Sequence, residues 1–441
     1  MTASMRPLLS VISALSVVLT PIVLAQAPRT TRVLIAVPDR TQAPAAFILD
    51  PQLSELLRGF GFKLDDRPAF RTCDAKPRFV IAGTIPTASM AALHSLLTAR
   101  ESPSFQLYDN PIVSSQYSNT CPRQADLGER HARSAAGLDI NGLANGRGVV
   151  LAIVDGGIDM SPIVKRFPAV KANQIFSWPA TPSPIYGSHG TLCAYVAALA
   201  APAVEIADVR VFGDAFSFMH AYDYLRTTWN ANRGKWKALV VSTSWEFPAP
   251  EPDFASKETL ALGTTHPLLP TLRCLAGAGV DVVFAAGNSG TCGPSSNTAR
   301  GSITPPNDMP EAITVAAVDG AKVRLGDSGQ GGKSAPTKPD ISAFGSLILQ
   351  DGTYARHTSV ATAFAAGINA SLRSLDGWSA ADRSATLVRK CFTEHADKQV
   401  KVVSSSGTLS SSQLTSHSAD FGYGVMRLDS NVFSWKDTCG K

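Results

Sequence analysis

The chain has 441 residues, 44% of them hydrophobic and only 17% charged, with 34 Gly and 29 Pro. That length admits roughly two or three domains, and high hydrophobicity with little charge excludes a disordered chain. The 40 basic against 35 acidic side chains leave a net +5, without the run of like charges that a nucleic-acid footprint needs. From His131 to Lys441 the two signs nearly balance, so charge says little about a partner.

Met1 to Ala27 reads as a secretory signal. Arg6 supplies the positive start, Leu8 to Leu24 the apolar stretch, and Ala25-Gln26-Ala27 the small residues of a cleavage site. Cleavage after Ala25 is expected, because Pro28 would be a poor new N-terminus; an uncleaved anchor is the competing reading. No later stretch holds 18 consecutive apolar residues, so no membrane association is expected after signal cleavage. Export, extracellular or periplasmic, permits disulfides, and all seven cysteines lie beyond the signal.

Residues 26–130 read as a small α+β domain. Val33 to Val37 and Phe79 to Ala82 have strand character, Pro51 to Gly59 that of a helix with Pro near its start and Gly at its end. Thr87 is expected to cap a helix carrying Met90, Leu93, Leu96 and Leu97 on one face. Phe105 to Val113 reads as extended, and polar Pro122 to Arg133 as a linker.

Residues 131–441 differ. Short, continuous apolar runs appear at Val149–Val154, Leu239–Val241, Val282–Ala286 and Ile313–Val318, separated by helix-compatible stretches at Leu192–Leu199, Phe218–Trp229 and Leu268–Ala278. Buried strands alternating with helices predict a mostly parallel central sheet covered on both faces, a three-layer α/β fold. Ligands in such folds bind beyond the carboxyl ends of strands. Ser404 to Ser412 is of low complexity and reads as a surface loop.

Four segments carry chemistry at such ends. Asp155 closes Val149–Val154 and is followed by Gly156-Gly157. His189, in Ser188-His189-Gly190-Thr191, precedes a helical run, where a neutral imidazole can act as a base. Asn288 leaves Val282–Ala286 through Gly287, placing an amide that can steady an oxyanion. Ser359, in Thr358-Ser359-Val360-Ala361-Thr362, opens a helix whose N–H groups and dipole suit a nucleophile. Taken singly, each reads as well as a cap, a turn residue or a satisfied core side chain.

Together, in the order Asp155, His189, Asn288, Ser359, they resemble the subtilisin-like serine proteases, the subtilase family, from about Gly137 to Asp429. Lys338-Pro339-Asp340-Ile341 and Phe421-Gly422-Tyr423-Gly424-Val425 are similar to further segments of that family. The resemblance implies a secreted serine endopeptidase acting on protein or peptide substrates through an acyl-enzyme. Ser359 would be the nucleophile, His189 the general base and acid, and Asp155 its orienting partner. Asn288 with the Ser359 N–H would form the oxyanion hole, and Ser244, Trp245, Glu246, Ala286 and Gly287 would line the substrate cleft. It implies a monomer without a required cofactor. The family often binds calcium, but no acidic loop here is assigned to it. Residues 26–130 stand where the family carries an inhibitory propeptide; a permanent accessory domain is the other reading of the same position.

The sequence departs from the family pattern. His357 replaces the Gly two residues before the nucleophile, Ala363 a Pro, and Glu246 a Gly, while Gly156 lacks the usual hydroxyl. Glu246 on a cleft wall would favour basic substrate residues. His357 motivates the alternative, a catalytically impaired secreted binding or inhibitor protein; an esterase or ligase would share the triad. Gly331-Gly332-Lys333-Ser334 lacks the spacing of a phosphate loop, no H-E-x-x-H occurs, and no metal site is expected. The sequon Asn369-Ala370-Ser371 falls inside the nucleophile helix, where burial would prevent its use. By the resemblance Cys193, four residues after His189, is the unpaired cysteine. Cys73–Cys121, Cys274–Cys292 and Cys391–Cys439 would complete an even set, although sequence leaves other pairings open.

Overall fold

The computed structural model describes residues 29–39, 51–99, 106–111, 125–139, 142–179, 184–211, 213–246, 265–288, 302–332, 335–404, 406–429, 431–432, 434–435 and 439. The expected signal segment, Cys121 and Cys292 lie outside them.

The N-terminal unit runs β1 (Thr30–Pro38), α1 (Pro51–Gly59), β2 (Lys63–Leu64), β3 (Phe70–Arg71), β4 (Arg78–Pro86), α2 (Met90–Ala99) and β5 (Gln106–Asp109). Its sheet is antiparallel: β1 lies between β4 and β5, and β2 and β3 both pair with β4. Successive side chains of a strand point to opposite faces. Val33 and Ile35 therefore pack against Leu53 and Leu57 of α1 and Met90 and Leu93 of α2, while Leu34 and Ala36 face the other way. Thr87 does not cap α2. It opens a 3-10 turn, Thr87–Ser89, without a side-chain cap bond, and its hydroxyl donates instead to the Arg29 carbonyl at 3.0 Å.

The second unit begins β6 (Leu127–Gly128), α3 (Glu129–Ala135), β7 (Val149–Asp155), α4 (Ser161–Arg166), β8 (Lys171–Ala172), α5 (His189–Ala200), β9 (Glu205–Arg210), α6 (Ala215–Ala231) and β10 (Ala238–Thr243). It continues α7 (Leu268–Gly277), β11 (Asp281–Ala285), β12 (Ile313–Val318), β13 (Ile341–Phe344), β14 (Ser346–Ile348), β15 (Tyr354–Arg356), α8 (Thr358–Arg373), α9 (Ala385–Glu394), β16 (Gln399–Val403) and β17 (Leu409–Gln413). Within the stretch expected as a linker, Leu127 to Arg133 is instead built into β6 and α3. β6 joins β14 in parallel, and buried Glu129 accepts from Tyr195 Oη, the Gln350 N–H and Arg166, each at 2.8 Å. The serine-rich segment expected as a loop supplies β17, which pairs antiparallel with β16.

The central sheet has the order β13-β12-β11-β10-β7-β9-β8, with every neighbouring pair parallel. Along β7, Val149, Leu151 and Ile153 enter one core with residues of α5 and α8. Val150, Ala152 and Val154 enter the other with residues of α6 and α7. Both faces are covered, which is why the strand reads as an unbroken apolar run. The chain is a mixed α/β protein with a large parallel sheet, preceded by an antiparallel one.

The expected pairing of cysteines is corrected. Cys73 bonds Cys274, with Cα atoms 6.3 Å apart, so neither Cys73–Cys121 nor Cys274–Cys292 forms. The reason is packing: the free face of the N-terminal sheet rests on α6 and α7, which carries Cys274. Cys391–Cys439 forms as expected, and Cys193 is a buried free thiol.

Candidate active site

β7 is the strand from which the order departs in both directions, with β9 on one side and β10 on the other. A cleft opens at the carboxyl ends of strands beside such a switch. Asp155 ends β7 there, almost fully buried. Its Oδ1 accepts the Gly156 N–H at 2.7 Å, and its Oδ2 accepts Nδ1–H of His189 at 2.8 Å. His189 is the first residue of α5. Gly190 permits this approach, since a Cβ there would lie 2.5 Å from the Gly157 carbonyl oxygen and 3.0 Å from the Asp155 Cβ. Burial disfavours charge on His189, but attraction from the Cys193 sulfur and the Asp155 carboxylate outweighs it and holds the imidazole well above its ordinary value of 6.5.

Ser359 lies in the first turn of α8. The helices that carry His189 and Ser359 touch where Gly367 of α8 crosses α5; a Cβ there would overlap the Ala197 carbonyl. A side-chain chain also joins them near the cleft: the Cys193 thiol donates to Ser244 Oγ at 3.7 Å, and that hydroxyl donates to the Ser359 carbonyl at 3.3 Å.

Asn288 follows Gly287, whose φ of 92° is one that glycine adopts without strain. Asn288 Oδ1 accepts both the Thr358 N–H at 3.1 Å and the Thr358 hydroxyl at 2.8 Å. Two donors on one atom identify it as the oxygen and leave the amide NH2 on the other branch. His189, Ser244, Trp245, Glu246, Gly287, Asn288 and Ser359 share one cavity, which His357, Thr358 and Ala285 also line. Ala286 is buried beside it, its N–H donating to the Val315 carbonyl. Trp245 turns its indole N–H to the Val154 carbonyl at 2.6 Å.

The geometry brings a buried carboxylate onto an imidazole, and sets a serine and an amide at the same cavity. Residues 146–424, more than half of the chain, match the model of the Subtilase family. The chain belongs to the subtilase family. No curated protein sequence matches it. Among solved structures it is similar to the epidermin leader peptide processing serine protease of Staphylococcus aureus, at 12% identity and a TM-score of 0.58, over 93% of this chain and 100% of that one. It is also similar to sphericase, at 22% identity and a TM-score of 0.46, over 65% and 93% of the two chains. A lanthipeptide protease follows at 16% identity and a TM-score of 0.47, over 72% and 99%.

Two departures of this subtilase from the family pattern have visible consequences. His357 adopts φ 94°, the left-handed region that glycine would favour. Its ring is drawn to buried Asp327, which accepts from His357 Nδ1 and, at 3.2 Å, from Arg356. Burial pushes the Asp327 carboxyl up, but the hydrogen bond from His357 and the Arg356 charge outweigh it and hold the carboxyl below its ordinary value. Glu246 fills the space beside Gly287, its Oε2 accepting the Asn288 N–H at 3.2 Å.

Sequence reasoning overlooked Asp327, Arg356 and Asn307. Asn307 donates to the carbonyls of Trp245, at 3.0 Å, and Ala285, at 2.7 Å, clasping the exits of β10 and β11. No local pattern marks these residues, because their partners are distant in sequence. Among the described residues, two sets of side chains lie close enough to share a metal ion. One, Asp155 with His189 and Cys193, contains the hydrogen-bonded carboxylate and imidazole described above. The other, Glu394 with His395 and Cys439, includes a cysteine already held in a disulfide.

Proposed function

We propose that this subtilase is a secreted serine endopeptidase that hydrolyses peptide bonds through an acyl-enzyme. The observation that carries the reading is the Nδ1–H to Asp155 bond at 2.8 Å, in a cavity that His189 shares with Ser359 and Asn288. With the proton fixed on Nδ1, the Nε2 lone pair takes the Ser359 hydroxyl proton as its oxygen attacks the scissile carbonyl. The tetrahedral oxyanion is met by the Asn288 amide and the Ser359 N–H at the positive end of α8. His189 then returns the proton to the leaving amine, and water, activated by the same base, releases the acid. No step needs a cofactor.

The substrate is protein or peptide, as the family implies, and Ser244, Trp245, Glu246, Ala286 and Gly287 form the binding side. Glu246 has its carboxylate on the cleft wall, which favours a basic substrate side chain. Export follows from the signal pattern of residues 1–25 and agrees with the two disulfides among the described residues. No described helix is long and apolar enough to cross a membrane. The protein is made as a precursor, and its chain is cut ahead of Leu127, since β6 and α3 are built into the second unit.

Incubation with an unfolded protein substrate tests this reading. New peptide termini should accumulate with the wild type and not with Ser359→Ala. Processed, folded protein that generates none would support the binding or inhibitor reading instead.

A further inference from the structure

The cut expected of the precursor would ordinarily free the N-terminal unit. From the disulfide, the shared core and the buried clasp described below, we infer that it does not: the N-terminal unit is retained as a covalently attached subunit after the chain is cut. This rests on the reading of the chain as a cleaved precursor.

Three independent contacts lead there. The first is Cys73–Cys274, which joins the N-terminal sheet to α7. The second is the core. Leu34, Phe70, Val80 and Tyr108 of the N-terminal sheet belong to one buried cluster with Phe216 of α6 and Leu269 of α7. The α1 and α2 helices cover only the opposite face of that sheet, so departure would bare an apolar surface on both parts.

The third is a buried charge. Asp214, the N-cap of α6, is 2% exposed. Arg67 grips both its oxygens at 2.7 Å and is itself held by Asp65. Asn110 donates to Asp214 Oδ2 at 2.9 Å, and the Arg67 guanidinium lies 4.9 Å over the Phe216 ring. Removing the N-terminal unit would leave Asp214 without these partners.

The walls of the active-site cavity come from the second unit, with no contribution from the described residues of the N-terminal one. Retention of the described N-terminal residues therefore adds nothing to the walls of that cavity. Cutting the chain, rather than losing the domain, is the activating event. Release needs two further steps: a dithiol reductant must convert the Cys73–Cys274 bond to two thiols, itself becoming a disulfide, and the apolar and ionic contacts must then part.

The test starts from the full chain with a specific protease site inserted between Pro111 and Ala125. In the Ser359→Ala background, nicking with the added protease requires no self-cleavage, so this arm stands even if the chain proves inactive. Nicked protein should run as one species on denaturing gels without reductant, and as two fragments with it. Two fragments without reductant would overturn the tether. Digestion of intact protein should also yield a linked peptide pair containing Cys73 and Cys274; its absence would overturn it too. In the active background, nicked and unreduced protein should cleave peptides at the rate of nicked Cys73→Ser/Cys274→Ser protein, within about twofold. Activity that appears only once the N-terminal fragment has been separated would identify a tethered inhibitor and refute the retained subunit.

Discussion

Asp155→Asn tests how the site holds its base. Asp155 uses one oxygen to accept the Gly156 N–H at 2.7 Å and the other to accept His189 Nδ1–H at 2.8 Å. An asparagine must keep its carbonyl toward Gly156, because the reverse orientation would set NH2 against a buried N–H and cost about 1–3 kcal/mol. Its NH2 then faces His189 Nδ1, which becomes an acceptor. The ring proton moves to Nε2, the atom that should accept from Ser359. The wrong tautomer costs about 10⁴ in kcat, or about 5.4 kcal/mol at roughly 1.36 kcal/mol per decade. KM should change little, because Asp155 is almost fully buried and does not line the cavity. Initial rates on a chromogenic peptide, with thermal melting to confirm the fold, make the comparison. A folded variant within tenfold of wild-type kcat would refute the reasoning, as would a loss confined to KM.

Other perturbations follow from the same geometry. The base must be neutral, and His189 is held above 6.5; kcat/KM should rise with pH through a midpoint above that value, and a profile flat from about pH 6 to 8 would contradict this. The same raised value favours the protonated form in the fold, so its contribution to stability is complete below 6.5 and fades as pH climbs through the folded-state value. Asn288→Ala should lower kcat by about 10²–10³ with little change in KM. Arg373→Ala should cost about 3–5 kcal/mol in urea unfolding, since it strands Asp281, whose two oxygens Arg373 binds at 2.6 and 2.7 Å with both side chains fully buried. Gly190→Ala sets a methyl group 2.5 Å from the Gly157 carbonyl oxygen; the shift this forces on His189 should reduce kcat about tenfold or more without unfolding the protein.

Much of the fold was legible where local physics decides it. β7, β10, β11 and β12 stand out because strands covered on both faces must be apolar throughout. α1 coincides with its expected Pro51–Gly59, α5 and α6 contain the expected helical runs, and α7 ends one residue before the expected Ala278. Asp155, His189, Asn288 and Ser359 could be singled out because each closes or opens a regular element, next to a glycine or a helix start. The remainder depends on contacts between distant segments. The Cys73–Cys274 bond spans 201 residues and follows from how two units pack. Glu129 read as linker because its partners Arg166, Tyr195 and Gln350 are far along the chain. The backbone of His357 could be suspected of a positive φ from the family pattern, but the Asp327 that receives its ring carries no local signal.

The proposed chemistry turns on Ser359 acting as a nucleophile activated by His189. A fluorophosphonate probe applied to the processed protein measures this directly. A single phosphonylated residue is expected, found at Ser359 by peptide mass mapping. Labelling should be lost in Ser359→Ala and strongly slowed in His189→Ala. Labelling elsewhere, or none on a folded and processed chain, would contradict it.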